Sequence, residues 1–157
     1  HDHMVSWSDV ACTTANQDSI SFVLKRALCS LDIWQSRNKP CHFEPKELRV
    51  GFAGLLSALH YIHGRKVIHA DVKPSNILLD AGRDDGCCRH SLLLADFGSA
   101  IVDDASCRVF EELLAIQKAD GVDVVTLDYR APELLFGQAR FGPLVDLWAL
   151  GVVLSVA

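Results

Sequence analysis

The spacing of hydrophobic positions changes several times along the chain. Val5, Trp7 and Val10 suggest an extended segment, and Ile20, Phe22 and Leu24 alternate as a half-buried strand does. The turn formers of Thr13 to Asp18 lie between them, so the two predict a hairpin. From Pro45 to His63 the period becomes helical: Leu48, Phe52, Leu55, Leu56, Leu59 and Ile62 recur on one stripe, Pro45 suits a first helical position, and Gly64 reads as a stop. His60 and His63 near the end of that helix read as packing or capping residues.

Further on, Ile77 to Leu79 and Leu92 to Ala95 predict two short strands, joined by the polar, glycine-bearing linker AGRDDGCCRH as an extended hairpin tip. Phe110, Leu113, Leu114 and Ile116 fall on one side of a short helix within residues 110–119. Val145 to Ala157 is apolar on every side, which predicts a helix in the middle of a core. Its apolar character runs to the last residue without a stop signal, so the expectation is a helix cut short and a chain that is a fragment or an incomplete gene model.

Composition narrows the class. With 157 residues, half of them apolar, the chain can bury one core as a single domain. A net charge of −5 offers no basic footprint, so no nucleic-acid partner is expected. No apolar stretch reaches the roughly 20 residues of a membrane helix, so no membrane partner is expected either. The six cysteines, Cys12, Cys29, Cys41, Cys87, Cys88 and Cys107, are scattered and follow no signal peptide. That pattern predicts reduced thiols and an intracellular protein, cytoplasmic or nuclear. Cys87, Cys88 and His90 lack the spacing of a zinc ribbon, and His1 and His3 read as solvated.

The candidate chemistry lies in VIHADVKPSNILLD, Val67 to Asp80, and LADFGSA, Leu94 to Ala100. Asp71, Lys73 and Asn76 crowd one loop, and a short apolar strand fixes its far end. Phosphoryl transfer is catalysed mostly by positioning and by stabilising charge on the equatorial oxygens. In that chemistry Asp71 can accept a hydroxyl proton and Lys73 can sit against the transferring phosphate. Asn76 and Asp96 are the oxygen donors that a hard magnesium ion prefers. A lone Asp in a turn is usually a solvated cap, but HADVKPSN, DFG, APE and DLWALG occur here in one order at compatible distances.

At these residues the chain resembles the eukaryotic protein kinases. The resemblance implies an α+β, two-lobed protein kinase fold in truncated form: the end of the small β lobe and the hinge at residues 1–28, then the first part of the mainly α-helical large lobe at 29–157. It also implies ATP and Mg2+ as cofactors and a protein substrate. By the same resemblance Asp71 is the catalytic base, Lys73 the phosphate contact, and Asn76 and Asp96 the metal ligands. Leu24 falls at the gatekeeper position, the backbone of Lys25 to Ala27 meets adenine, and Asp32 faces the ribose, with Ser30 competing for that role. His69 and Phe97 become packing residues, Asp146 holds the catalytic-loop backbone, and Glu133 is a structural partner for an arginine of a later helix.

Departures from the family pattern carry expectations of their own. There is no GxGxxG and no VAIK-like strand before the hinge, so the 157 residues are expected not to turn over by themselves. His69, Ala70, Asp71 stands where the family has His, Arg, Asp. That arginine normally helps hold an activating phosphate. The neighbourhood of Gly121 also lacks a hydroxyl, so control by activation-segment phosphorylation is not expected. VVTLDYRAPELLFG, Val124 to Gly137, resembles the cyclin-dependent and mitogen-activated group, which implies a cyclin-like activator as a candidate partner. Thr126, bridging to Asp71 and Lys73, implies Ser/Thr substrates, and Arg130 implies proline after the phosphoacceptor, although Asp128 replaces the tryptophan usual there. Two functions stay open: a Ser/Thr protein kinase, or a pseudokinase that serves as a binding or scaffold module.

Overall fold

The fold was obtained as a computed structural model describing residues 1–5, 7–13, 19–37, 43–81, 90–102, 127–136 and 141–157. Strands β1 (Trp7–Thr13) and β2 (Ser19–Leu24) form the expected antiparallel hairpin, with Trp7 opposite Leu24 and Thr13 opposite Ser19. The extended residue Val5 belongs to neither strand. Its amide donates to the Leu94 carbonyl at 3.0 Å, and Met4 makes a parallel bridge to Leu94. The approach to the hairpin is thus tied to a strand far along the chain.

A second sheet, in the order β3-β5-β6, joins β3 (Cys29–Ser30), β5 (Ile77–Ala81) and β6 (His90–Leu94). The β5-β6 pairing runs from Ile77–Leu94 to Ala81–His90, so both strands extend further toward the linker than their apolar runs suggested. Backbone pairing carries the ladder beyond the last large apolar residue. A third pairing joins β4 (Val67–Ile68) to β7 (Ile101–Val102).

Helix α1 (Leu31–Arg37) follows β3 directly, and α2 spans Pro45–His63, the predicted bounds. The Glu44 amide donates to the Glu47 carboxylate at 3.1 Å, one arm of a capping box at the start of α2. Phe52, Leu55, Ala58, Leu59 and Ile62 are buried, whereas Leu56 is half exposed. One residue off the stripe at 100° per step is enough to turn Leu56 out and bring the small Ala58 in. Gly51 and Gly54 continue the buried side: a methyl on Gly51 would meet Leu92 of β6, and one on Gly54 would enter the His3 imidazole. Missing side chains therefore let β6 and the first residues lie close against the helix. Gly64 ends the helix at φ −62, in right-handed geometry, and the left-handed residue is Lys66 at φ 59. The expected glycine stop is present, but the reversal of direction occurs two residues later.

The core gathers Leu31, Leu55, Leu59, Ile77, Leu79 and Leu94 from α1, α2, β5 and β6, with Leu150 and Val153 from the last helix. That helix, α4 (Leu144–Val156), follows the short α3 (Pro132–Leu135). The expectation of a helix in the middle of a core needs correction. Val145, Asp146, Ala149, Leu150 and Val153 are buried, while Leu144, Leu147, Trp148, Leu154 and Val156 are exposed. Among the described residues, α4 packs on one side only, against α2 and the turn at Leu127–Tyr129, and Asp146 bonds from that side to His69 and Ala70. No helix among them is long and apolar enough to cross a membrane. Residues 110–119, Cys87 and Cys88 lie outside the described residues.

Candidate active site

The loop from His69 to Asn76 hangs between two fixed points. Upstream, β4 pairs with β7; downstream, Pro74–Asn76 forms a 3-10 turn and β5 enters the central sheet. Between them Asp71, Lys73 and Asn76 converge. Lys73 Nζ stands 2.8 Å from Asp71 Oδ2. The Asn76 side-chain amide donates to the same Oδ2 at 2.9 Å and to the Asp71 carbonyl at 2.8 Å. Among the described residues the two bonds that reach the Asp71 carboxylate, from Lys73 and Asn76, both fall on Oδ2. Because the NH2 group of Asn76 is committed to Asp71, its carbonyl oxygen is the atom presented away from Asp71.

Asp146 holds the other side of this loop. Its side chain is 1% exposed and accepts three hydrogen bonds: His69 N to Oδ2 at 2.9 Å, Ala70 N to Oδ1 at 2.8 Å, and the His63 ring to Oδ2 at 2.7 Å. Ala70 sits at φ 64, a left-handed conformation that costs a non-glycine residue about 1–2 kcal/mol. Two bonds to one buried carboxylate, at Ala70 and its neighbour, hold that backbone in place.

His69 is buried, and its contacts define its proton. Nε2 lies 3.0 Å from the Ala95 carbonyl, an acceptor, while Nδ1 receives the Asp71 amide at 3.4 Å. The neutral ring protonated at Nε2 satisfies both, and its edge meets the Phe97 ring with centroids 4.8 Å apart. Burial pushes the His69 imidazole below its ordinary 6.5, against the upward pull of the Asp146 carboxylate, the Ala95 carbonyl, Asp71 and Asp96. A depressed histidine pKa means that the unfolded chain takes up the proton more readily. Stability from this group is therefore complete above pH 6.5 and is lost as pH falls below it. The urea midpoint is expected to drop as pH falls below 6.5, with a shallower drop in His69→Gln. Equal slopes in the two proteins would contradict the assignment.

Asp96 follows β6 at φ 61, and the Gly98 amide donates to its Oδ1 at 3.1 Å. This Asx-type turn is a conformation aspartate tolerates, and it leaves the carboxylate exposed. The Asn76 carbonyl oxygen and the Asp96 carboxylate are hard oxygen donors of the kind magnesium takes alongside phosphate oxygens and water, so the donor set fits that ion. Among the described residues no three His, Cys, Asp or Glu side chains gather as a metal cluster.

At the expected hinge, Leu24 ends β2 and is half exposed, Ala27 is partly buried, and Lys25 Nζ makes an ion pair with Asp80 at 2.6 Å. The chain rejoins the sheet at Leu28, whose amide donates to the Leu79 carbonyl at 2.8 Å, so Lys25 to Ala27 cross between the hairpin and the central sheet. Ser30 pairs with Leu78 in β3, and Asp32 is exposed in the first turn of α1. Beside the loop, a cleft is lined by Ala70, Asp71 and Lys73 on one wall and by Tyr129, Arg130 and Leu134 on the other. Burial raises the Tyr129 hydroxyl pKa, and the nearby charges of Asp128 and Asp32 raise it further. Glu133 lies half-buried in the first turn of α3. Thr126 is outside the described residues. His63 is the side chain whose contact sequence reasoning missed: nothing in the chain's pattern marks a bond between residues 63 and 146.

A family model described as "Protein kinase domain" matches residues 1–157. The chain belongs to the protein kinase family. Within it, the chain is 36% identical over 120 residues to the probable cyclin-dependent kinase 8 of Dictyostelium discoideum, covering 76% of this chain and 28% of that protein. It is 39% identical over 102 residues to cyclin-dependent kinase E-1 of Arabidopsis thaliana, covering 64% of this chain and 19% of that protein. Cyclin-dependent kinase 7 of Dictyostelium discoideum aligns over 99% of the chain at 30% identity, and the chain spans 37% of its length. Among solved structures, the crystal structure of the yeast RNA Pol II CTD kinase CTDK-1 complex superposes with a TM-score of 0.74 at 27% identity, covering 98% of this chain and 44% of that one. The chain is thus homologous to the cyclin-dependent group and spans less than half the length of these proteins.

Proposed function

We propose that the full-length protein is a cyclin-dependent-kinase-like Ser/Thr protein kinase, transferring the ATP γ-phosphoryl group to hydroxyls that precede proline. The observation that carries this is the convergence of Lys73 and Asn76 on one oxygen of Asp71. Asp71 accepts the proton of the attacking hydroxyl, Lys73 steadies the transferring phosphate, and Asn76 and Asp96 hold magnesium, which neutralises phosphate charge when bound. On this reading Leu24, Lys25 and Ala27 border adenine, Asp32 or Ser30 meets the ribose, and Thr126 and Arg130 receive the peptide. Residues 1–28 close the small lobe and residues 29–157 begin the large one. The 157 residues by themselves do not turn over, since they contain no glycine-rich phosphate loop. A cyclin-like activator, an intracellular location and freedom from activation-segment phosphorylation complete the proposal, the last resting on Ala70.

The test is transfer of labelled γ-phosphate by the full-length protein, isolated together with its bound activator, to a Ser-Pro peptide with magnesium. Label on serine is expected, with loss on chelation, little on a Tyr-Pro peptide, and about tenfold less when alanine replaces the proline. An absence of magnesium-dependent transfer from a folded full-length protein would favour the pseudokinase.

A further inference from the structure

We infer that the ion pair between Lys25 and Asp80 clamps the segment proposed to meet adenine, and that its two side chains are positioning residues for the nucleotide. The nucleotide side of this inference rests on the function proposed above; its structural side does not. Lys25 to Ala27 cross from the β1-β2 hairpin to the central sheet, and both ends of the crossing are held by neighbouring residues of one strand. At the far end the Leu28 amide donates to the Leu79 carbonyl at 2.8 Å; at the near end Lys25 Nζ reaches Asp80 Oδ2 at 2.6 Å. Leu79 and Asp80 are consecutive in β5, so their side chains point to opposite faces. Leu79 is buried in the core, and Asp80 turns its largely covered carboxylate the other way, to Lys25.

A crossing pinned at Leu28 alone can swivel about that point. Pinned also at Lys25, which follows β2 directly, it presents the carbonyls and amides of residues 25–27 in one direction. The strand that holds both pins is itself fixed, since β5 pairs with β6 along its length, from Ile77–Leu94 to Ala81–His90. It also begins next to Asn76, one of the residues proposed to hold magnesium, and Asp80 lies four residues further on, about 13 Å away at the usual rise of a strand. One strand therefore spaces the metal end of the site from the anchor of its adenine end. Lys25 is 63% exposed, so water and salt reach the pair, and its effect is modest and sensitive to ionic strength.

The test uses the full-length protein with Asp80→Asn, with Lys25→Glu, and with the exchanged pair Lys25→Glu and Asp80→Lys. Two quantities are read: the Kd for ADP by calorimetry, and the exchange rate of the Leu28 backbone amide. Asp80→Asn is expected to weaken ADP binding about threefold and to speed Leu28 exchange by a similar factor, with the amides of α2 unchanged. Lys25→Glu sets two carboxylates side by side and should move both quantities about tenfold. The exchanged pair should return both to within about twofold of the native values. Raising salt from about 0.05 M to about 1 M should bring Leu28 exchange in the native protein to the rate seen in Asp80→Asn, and leave that variant as it was. Unchanged Leu28 exchange in Asp80→Asn, no recovery in the exchanged pair, or no response of the native protein to salt would overturn the inference. Faster Leu28 exchange with ADP affinity unchanged would overturn it too, because the pair would then serve the sheet and not the nucleotide. The salt response is read without substitution, so it decides the clamp even where a variant does not fold. A native protein that binds no ADP would refute the nucleotide site proposed above, and Leu28 exchange would still decide the clamp.

Discussion

Asp71→Asn is expected to lower kcat for phosphoryl transfer by about 100- to 10,000-fold while KM for ATP stays within about twofold. The substitution keeps the shape of the side chain and removes its basicity. In the native site Oδ2 receives Lys73 at 2.8 Å and the Asn76 amide at 2.9 Å, and both are donors. The carbonyl oxygen of an asparagine at 71 can take the Oδ2 place and accept both bonds. Its NH2 group then occupies the position of Oδ1, which is where the substrate hydroxyl is proposed to deliver its proton. The loop is left in place and the acceptor is gone. Nucleotide binding, proposed to depend on the hinge and on Asn76 and Asp96, should persist. Steady-state kinetics with a Ser-Pro peptide, alongside nucleotide binding by calorimetry, separates the two effects. A loss under tenfold would remove Asp71 from the role of base.

How much of this was legible beforehand depends on distance along the chain. Asp71, Lys73 and Asn76 lie within six residues, so their types and spacing already predicted a shared loop. The bounds of α2 were likewise legible, because an amphipathic stripe opened by Pro45 and closed near Gly64 is a local signal. What escaped were contacts set by tertiary packing. Leu56 turns out and Ala58 turns in because the stripe that packs is chosen by β6, which lies against Gly51, and by His3, which lies against Gly54. The apolar run of α4 indicated burial on every side, yet one side alone meets the rest of the described residues. Hydropathy reports that a face needs covering, and it does not report what covers it. The return of residues 25–27 to the sheet is fixed by the Leu28–Leu79 backbone bond, and backbone bonds leave no trace in side-chain pattern. For the same reason, family resemblance reached Asp146 as the anchor of the loop, but His63 emerged only from coordinates.

The second large effect is expected at that anchor. Asp146→Ala should lower the unfolding free energy by about 3 kcal/mol and reduce kcat by about tenfold or more. Three donors lose their acceptor at once: the amides of His69 and Ala70 and the ring of His63. Each buried donor left without a partner costs about 1–3 kcal/mol, partly offset because a buried charge no longer has to be desolvated. Ala70 adds its own term. Without the carboxylate, the left-handed residue gains about 1–2 kcal/mol by relaxing toward ordinary geometry, and in relaxing it turns Asp71 away from Lys73 and Asn76. Ala70→Gly separates these contributions, since glycine takes φ 64 without strain. In the Asp146→Ala background, glycine at 70 should recover part of the activity by removing the drive to relax, while the cost of the orphaned donors remains in the urea midpoint. A loss of stability under about 1 kcal/mol, or full activity in Asp146→Ala, would mean that water replaces the carboxylate in a site where its side chain is 1% exposed.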